Sequence, residues 1–195
     1  MRARDHLLIG TGLMATVAAL AATGALAAAS KTVELTDPTG DVSGPLDIQR
    51  ASLSLPSDGR LRAVITVADK IEPKELLAKS GPPGSACLKI WTDPKADPAA
   101  ARPDRLVCVT AKDKDDLRAS VLQQSVPGLP TLSSAASVSL NKSARSMVIR
   151  VSQTALGRPT LIRYAVESTR PGCVRVSCVD QVPDKGVVRR FRVRG

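Results

Sequence analysis

Along most of this chain hydrophobic and polar residues alternate one by one, the period of a β-strand with one buried face. Leu61 to Val67 shows it best: Leu61, Ala63, Ile65 and Val67 fall on one side, and Arg62, Val64 and Thr66 on the other. The same rhythm predicts strands over Thr32–Leu35, Asp47–Leu55, Cys87–Thr92, Leu106–Ala111, Ser120–Gln123, Ser137–Leu140, Met147–Val151, Leu161–Ser168 and Val187–Val193. Turn residues separate them at Pro56-Ser57-Asp58-Gly59, Gly81-Pro82-Pro83-Gly84, Pro127-Gly128-Leu129-Pro130 and Asp184-Lys185-Gly186. Ser137–Leu140 and Met147–Val151, joined across Asn141 to Ser146, read as a hairpin. Helical turns are expected over Glu72–Lys79, where Pro73 suits an early helical position, and over Gln153–Leu156. Many short strands without a strand-helix-strand rhythm predict an all-β fold, an antiparallel β-sandwich of the jelly-roll kind. Asp93 to Pro103, rich in proline and alanine, is expected as a long loop, and residues 30–195 as one domain.

The first 29 residues break this rhythm. Arg2 and Arg4 precede an apolar stretch from Leu7 to Ala22, and small residues follow at Ala25, Ala27 and Ala29, the pattern of a secretory signal peptide cleaved after Ala27 or Ala29. The competing reading is an uncleaved anchor, since Leu7 to Ala29 carries no charge; its alanine, glycine and threonine content favours cleavage. The mature protein is therefore expected outside the cytosol, extracellular or in the cell envelope, with no membrane span.

The net charge is +10, but aromatic residues are only Trp91, Tyr164 and Phe191, so the stacking platforms of nucleic-acid binders are nearly missing and nucleic acid is not expected as a partner. Positive charge gathers at Arg189, Arg190, Arg192 and Arg194, which read as a solvated strand face or as a point of attraction for an anionic cell-surface polymer or polysaccharide.

Cys87, Cys108, Cys173 and Cys178 form an even set beyond the signal, and four cysteines allow three connectivities. Cys87 with Cys108 and Cys173 with Cys178 are the favoured pairs, because the first two fall on strands flanking the 93–103 loop and the second two pinch a short segment. Neither spacing is the C-x-x-C of a redox centre, and a four-thiolate zinc site would need closer pairs.

The acidic stretch Asp37-Pro38-Thr39-Gly40-Asp41-Val42-Ser43-Gly44-Pro45-Leu46-Asp47 offers Asp37, Asp41 and Asp47 to a structural calcium ion, which takes six to eight oxygen ligands. Asp180 and Asp184 would join them if the terminal strands pair. Aspartates that cap their own turns are the simpler reading. The D-x-x-G-D turn followed by P-L-D-I, the cadence Gly59, Leu61, Ile65, Val67, and the closing C-V-D-x-x-P-D-x-G resemble secreted β-sandwich domains, the DOMON-like domains and the family 9 carbohydrate-binding modules. That resemblance implies a structural metal beside Asp37 and Asp41. It departs from haem-binding members, since beyond the signal Met147 is the only methionine and there is no histidine. Sugar-binding members clamp ligands between aromatic rings; Trp91, on a strand beside Cys87, reads first as core or disulfide packing, and as a sugar platform only if exposed together with Tyr164.

Catalysis is not expected. His6, inside the signal, is the only histidine, which removes the usual general base. Ser143 beside Lys142 lacks an S-x-x-K or G-x-S-x-G context. Glu34, Glu72, Glu75 and Glu167 could pair as glycosidase carboxylates only by converging in a cleft. The sequence thus points to a secreted, non-catalytic binding or cell-surface structural protein. A carbohydrate-binding module is one alternative, and an adhesion or inhibitor-like protein using the 93–103 or 127–130 loop is another.

Overall fold

The computed structural model describes residues 32–38, 40, 42, 44–93, 95, 97–123, 131–141, 143–173, 178–184 and 187–193. The signal at 1–29 with His6, and also Asp41, Lys142, the 127–130 loop, Lys185, Gly186 and Arg194, lie outside the described residues.

Alternation becomes strand wherever it runs unbroken. The strands are β1 (Thr32–Thr36), β2 (Ile48–Ser54), β3 (Leu61–Val67), β4 (Ser85–Trp91), β5 (Arg105–Ala111), β6 (Leu117–Gln123), β7 (Thr131–Ser133), β8 (Ala136–Leu140), β9 (Ser146–Val151), β10 (Leu161–Thr169), β11 (Val179–Val182) and β12 (Arg189–Arg192). In β3 every odd-numbered residue is buried and every even-numbered one half-buried, as a strand with one face on the core must be. A sheet ordered β1-β2-β3-β9-β8 packs on a larger one ordered β11-β10-β4-β5-β6-β7, with β12 also on β10. All strand pairs are antiparallel. The chain passes between sheets at β3 to β4, β7 to β8 and β9 to β10. Leu53, Leu61, Ile65, Leu88, Ile90 and Ile149 are fully buried between the two inner faces, the antiparallel β-sandwich expected from the pattern.

The β8–β9 hairpin forms as expected, and Asn141 is the reason. Its side-chain Oδ1 accepts from the backbone N–H of Arg145 and of Ser146, at 3.1 Å each, and from Ser143 Oγ at 3.1 Å. The two helical expectations shrink. Only one 3₁₀ turn, Pro73–Leu76, forms within Glu72–Lys79, because Leu76 is the single residue that segment buries and a helix needs a longer apolar stripe. Gln153–Leu156 is a turn closed by Arg158 N–H donating to Gln153 O at 2.8 Å.

β7 and β11 are strands that alternation does not predict; three and four residues are too short for a period to show. β11 and β12 run along the same edge of β10, opposite Val166–Thr169 and Leu161–Tyr164 respectively. Pro183, which has no N–H to give a ladder, follows β11 and ends its pairing. The strand expected from Val187 therefore begins two residues later.

Candidate functional site

Both cysteine pairs are disulfides. Cys87 and Cys108 face each other directly across β4 and β5, with 4.1 Å between Cα atoms, and Cys173 bonds Cys178 with 6.1 Å. Ala86, Leu88 and Ile90 turn inward, so Cys87 belongs to the outer face of the larger sheet. The bond closes the 93–103 loop between its two strands.

Trp91 shares that outward phase yet is only 4% exposed, because the loop folds over it and its indole N–H donates to Ala101 O at 2.9 Å. Asp104 fixes the loop: its Oδ2 accepts from Thr92 N–H at 2.7 Å and from Thr92 Oγ1 at 2.9 Å. Tyr164 and Phe191 are both 1% exposed, and both turn into the core. Trp91 pairs in register with Arg163, one position from Tyr164, so the tryptophan and the tyrosine point to opposite faces of one sheet. The condition for a sugar platform, Trp91 and Tyr164 exposed together on one face, is not met, and Trp91 packs under its loop. Burial pushes the Tyr164 phenol up to about 12, with Arg189 pulling weakly the other way.

The acidic residues do come together from opposite ends of the sequence. Asp180 on β11, 2% exposed, accepts the backbone N–H of Ile48 through Oδ2. Asp47, 4% exposed, accepts from Gly40 N–H at 2.9 Å, and Ser168, opposite Asp180 in register, donates from Oγ to Leu46 O at 2.6 Å. These bonds tie the 37–47 turn to β10 and β11. The second oxygen of Asp47, Oδ1, is buried without a hydrogen-bond partner, which is the kind of atom a cation would satisfy. Among the described residues, however, no group of three or more His, Cys, Asp or Glu gathers that could hold a metal. Asp41, the third carboxylate offered to calcium, lies outside the described residues. Asp184 is exposed in the turn that follows β11.

The carboxylates considered for hydrolysis are dispersed. Glu34 pairs with Arg50 at 3.3 Å on the smaller sheet, and Glu167 with Lys89 at 2.9 Å on the larger one. Glu72 pairs with Lys74 at 2.7 Å, whose hydrogen bond holds its carboxyl below the ordinary value, and Glu75 is exposed beside them. Ser143 Oγ is occupied by Asn141.

The arginines carry more information than their position in the sequence suggests. On β12, Phe191 is core while Arg189, Arg190 and Arg192 are exposed on the edge strand, where charge blocks sheet-to-sheet pairing with another chain. Arg62 on β3 and Arg150 on β9 sit directly opposite each other on the outer face of the smaller sheet. Alternation alone puts each of them on an outer face. Their pairing joins strands more than 80 residues apart, and no local signal shows it. Arg62, Arg150, Arg190 and Arg192 form no ion pair among the described residues. No helix among the described residues is long and apolar enough to cross a membrane. The chain matches no family model, and neither a curated protein nor a solved structure is found similar to it.

Proposed function

We propose that this is a secreted, non-catalytic binding protein of the extracellular space or cell envelope, and that its ligand is an anionic polysaccharide. The observation that supports this reading is the mismatch between cations and acids. The chain carries a surplus of ten positive charges, and arginines on exposed faces of both sheets stand without carboxylate partners among the described residues. Arginine forks left open in this way suit sulfate, phosphate or uronate groups, which they bind bidentately. All three aromatic side chains are buried, so a neutral sugar would find no ring to stack on. The likeness to DOMON-like and family 9 modules belongs to this proposal and rests on its short motifs.

Retention on immobilised dextran sulfate, with neutral dextran as the parallel matrix, tests the reading. Retention on the sulfated matrix that is lost as salt rises, with none on neutral dextran, is the expected result. Equal retention on both, or none on either at low salt, overturns it, and single-stranded DNA that displaces the protein more strongly than free dextran sulfate reassigns the ligand to nucleic acid.

A further inference from the structure

The strand register turns the outer face of the smaller sheet into a lattice of three rungs. The first runs Thr32, Ser54, Arg62, Arg150, Ser137; the second Glu34, Ser52, Val64, Val148, Ser139; the third Thr36, Arg50, Thr66, Ser146. Apart from Glu34 at its end, the second rung holds only serine and valine, so it forms a low lane across the strands. Five strands at about 4.8 Å spacing give that lane a length of roughly 19 Å. Glu34 and Arg50 neutralise each other at one corner. Thr66 and Ser146 share a hydrogen bond at 2.9 Å on the far rung.

The first rung is different. Like charges directly opposite across antiparallel strands repel, and Arg62 and Arg150 occupy such a pair in the middle of the sheet, where edge protection is not needed. Arg60 adds a third guanidinium: its Nη2 donates to the backbone oxygen of Arg150 at 3.4 Å. Three cations along the middle of one side of a lane of small side chains match a linear polyanion lying across the strands, with an acid group held between two forks.

We propose that the outer face of the β1-β2-β3-β9-β8 sheet is the polymer-binding surface, and that Arg62 and Arg150 together hold one acid group of an anionic polysaccharide laid along the lane. This deepens the proposed function and rests on it. A ligand of this shape explains why the strands carry small residues here: Val64, Val148 and Ser52 leave clearance that longer side chains would fill.

The test compares R62Q/R150Q with R102S/R118S, a pair that removes the same charge from exposed positions elsewhere. Tryptophan emission confirms folding in each, and the single variant R62Q serves if the double one misfolds. Affinity for dextran sulfate should fall at least about tenfold in R62Q/R150Q, the loss of charged hydrogen bonds, and far less in R102S/R118S. Melting should also lose its extra response: sodium sulfate should raise the midpoint of the parent protein over chloride by more than it raises that of R62Q/R150Q. Equal losses in both variants overturn this surface while leaving the polysaccharide reading intact. If the parent protein itself ignores dextran sulfate, the underlying reading fails and this inference with it.

Discussion

The two outer faces of this sandwich share one architecture and differ in how the charges at their centres are partnered. On the larger sheet, Lys89 Nζ is held between Glu167 Oε2 at 2.9 Å and Gln181 Oε1 at 3.1 Å, Arg163 donates to Asp93 O at 2.6 Å, Trp91 is roofed by its loop, and a disulfide crosses the centre. On the smaller sheet, Arg62 faces Arg150 among serines, threonines and valines. The centre of one face is partnered from within, its open arginines, Arg190 and Arg192, lying only on the edge strand β12; the centre of the other carries two facing guanidinium groups that form no ion pair among the described residues. In a sandwich, alternation assigns the core but says little about which outer face works. That distinction lies in which charges already have partners.

The sharpest way to break the comparison is to remove the staple from the satisfied face. Cys87→Ser with Cys108→Ser opens a loop of 21 residues and should lower stability by about 3 kcal/mol on the chain-entropy model, read from urea denaturation. Polymer binding should survive in whatever fraction remains folded. Loss of binding by the folded fraction would place the ligand on the larger sheet and reverse the assignment of the two faces.

Next in size is the ion pair of that face. Lys89 and Glu167 keep side-chain exposures of 20% and 29%, so the pair is partly screened. Glu167→Gln should cost about 1 kcal/mol and the double change Lys89→Met, Glu167→Gln less than the sum of the single changes, because each single change strands a half-buried partner. Strict additivity in the double-mutant cycle would show that this face is not internally neutralised.

Legibility in the sequence follows the same division. The strands and their buried residues were readable because a period of two needs only neighbours, and Leu61–Val67 is found with the bounds expected. The cysteine pairing was readable because both partners of each bond flank a nearby loop. Asp180 reaches the backbone beside Asp47 by a route the sequence does not suggest: the terminal strands lie in different sheets and do not pair, and β11 brings Asp180 onto the Ile48 N–H from the facing sheet. Trp91 is buried, as the packing reading expects, but not by its strand phase, which points outward: the 93–104 loop that covers it obeys no period. Arg62 and Arg150 are illegible as a pair for a related reason: each is an ordinary outward residue, and only the register of β3 with β9 brings them together.

The smallest effect expected near neutral pH tests the boundary between the inner and outer faces. Tyr164 is the only tyrosine, so its phenol can be titrated alone by its absorbance in the near ultraviolet. Burial favours the neutral form and pushes its pKa up to about 12 from an ordinary value of 10.0. Between those two values the folded protein binds more protons than the unfolded chain, so stability is indifferent to this group below pH 10 and declines as pH climbs toward 12. The phenolate signal should thus appear near pH 12 in the native protein and near 10 in urea. Arg189→Ala should move the native value slightly higher, since that guanidinium is the one cation drawing it down. A native titration at 10 would mean that water reaches the ring between the sheets, and the closed interior that backs both outer faces would fail at β10.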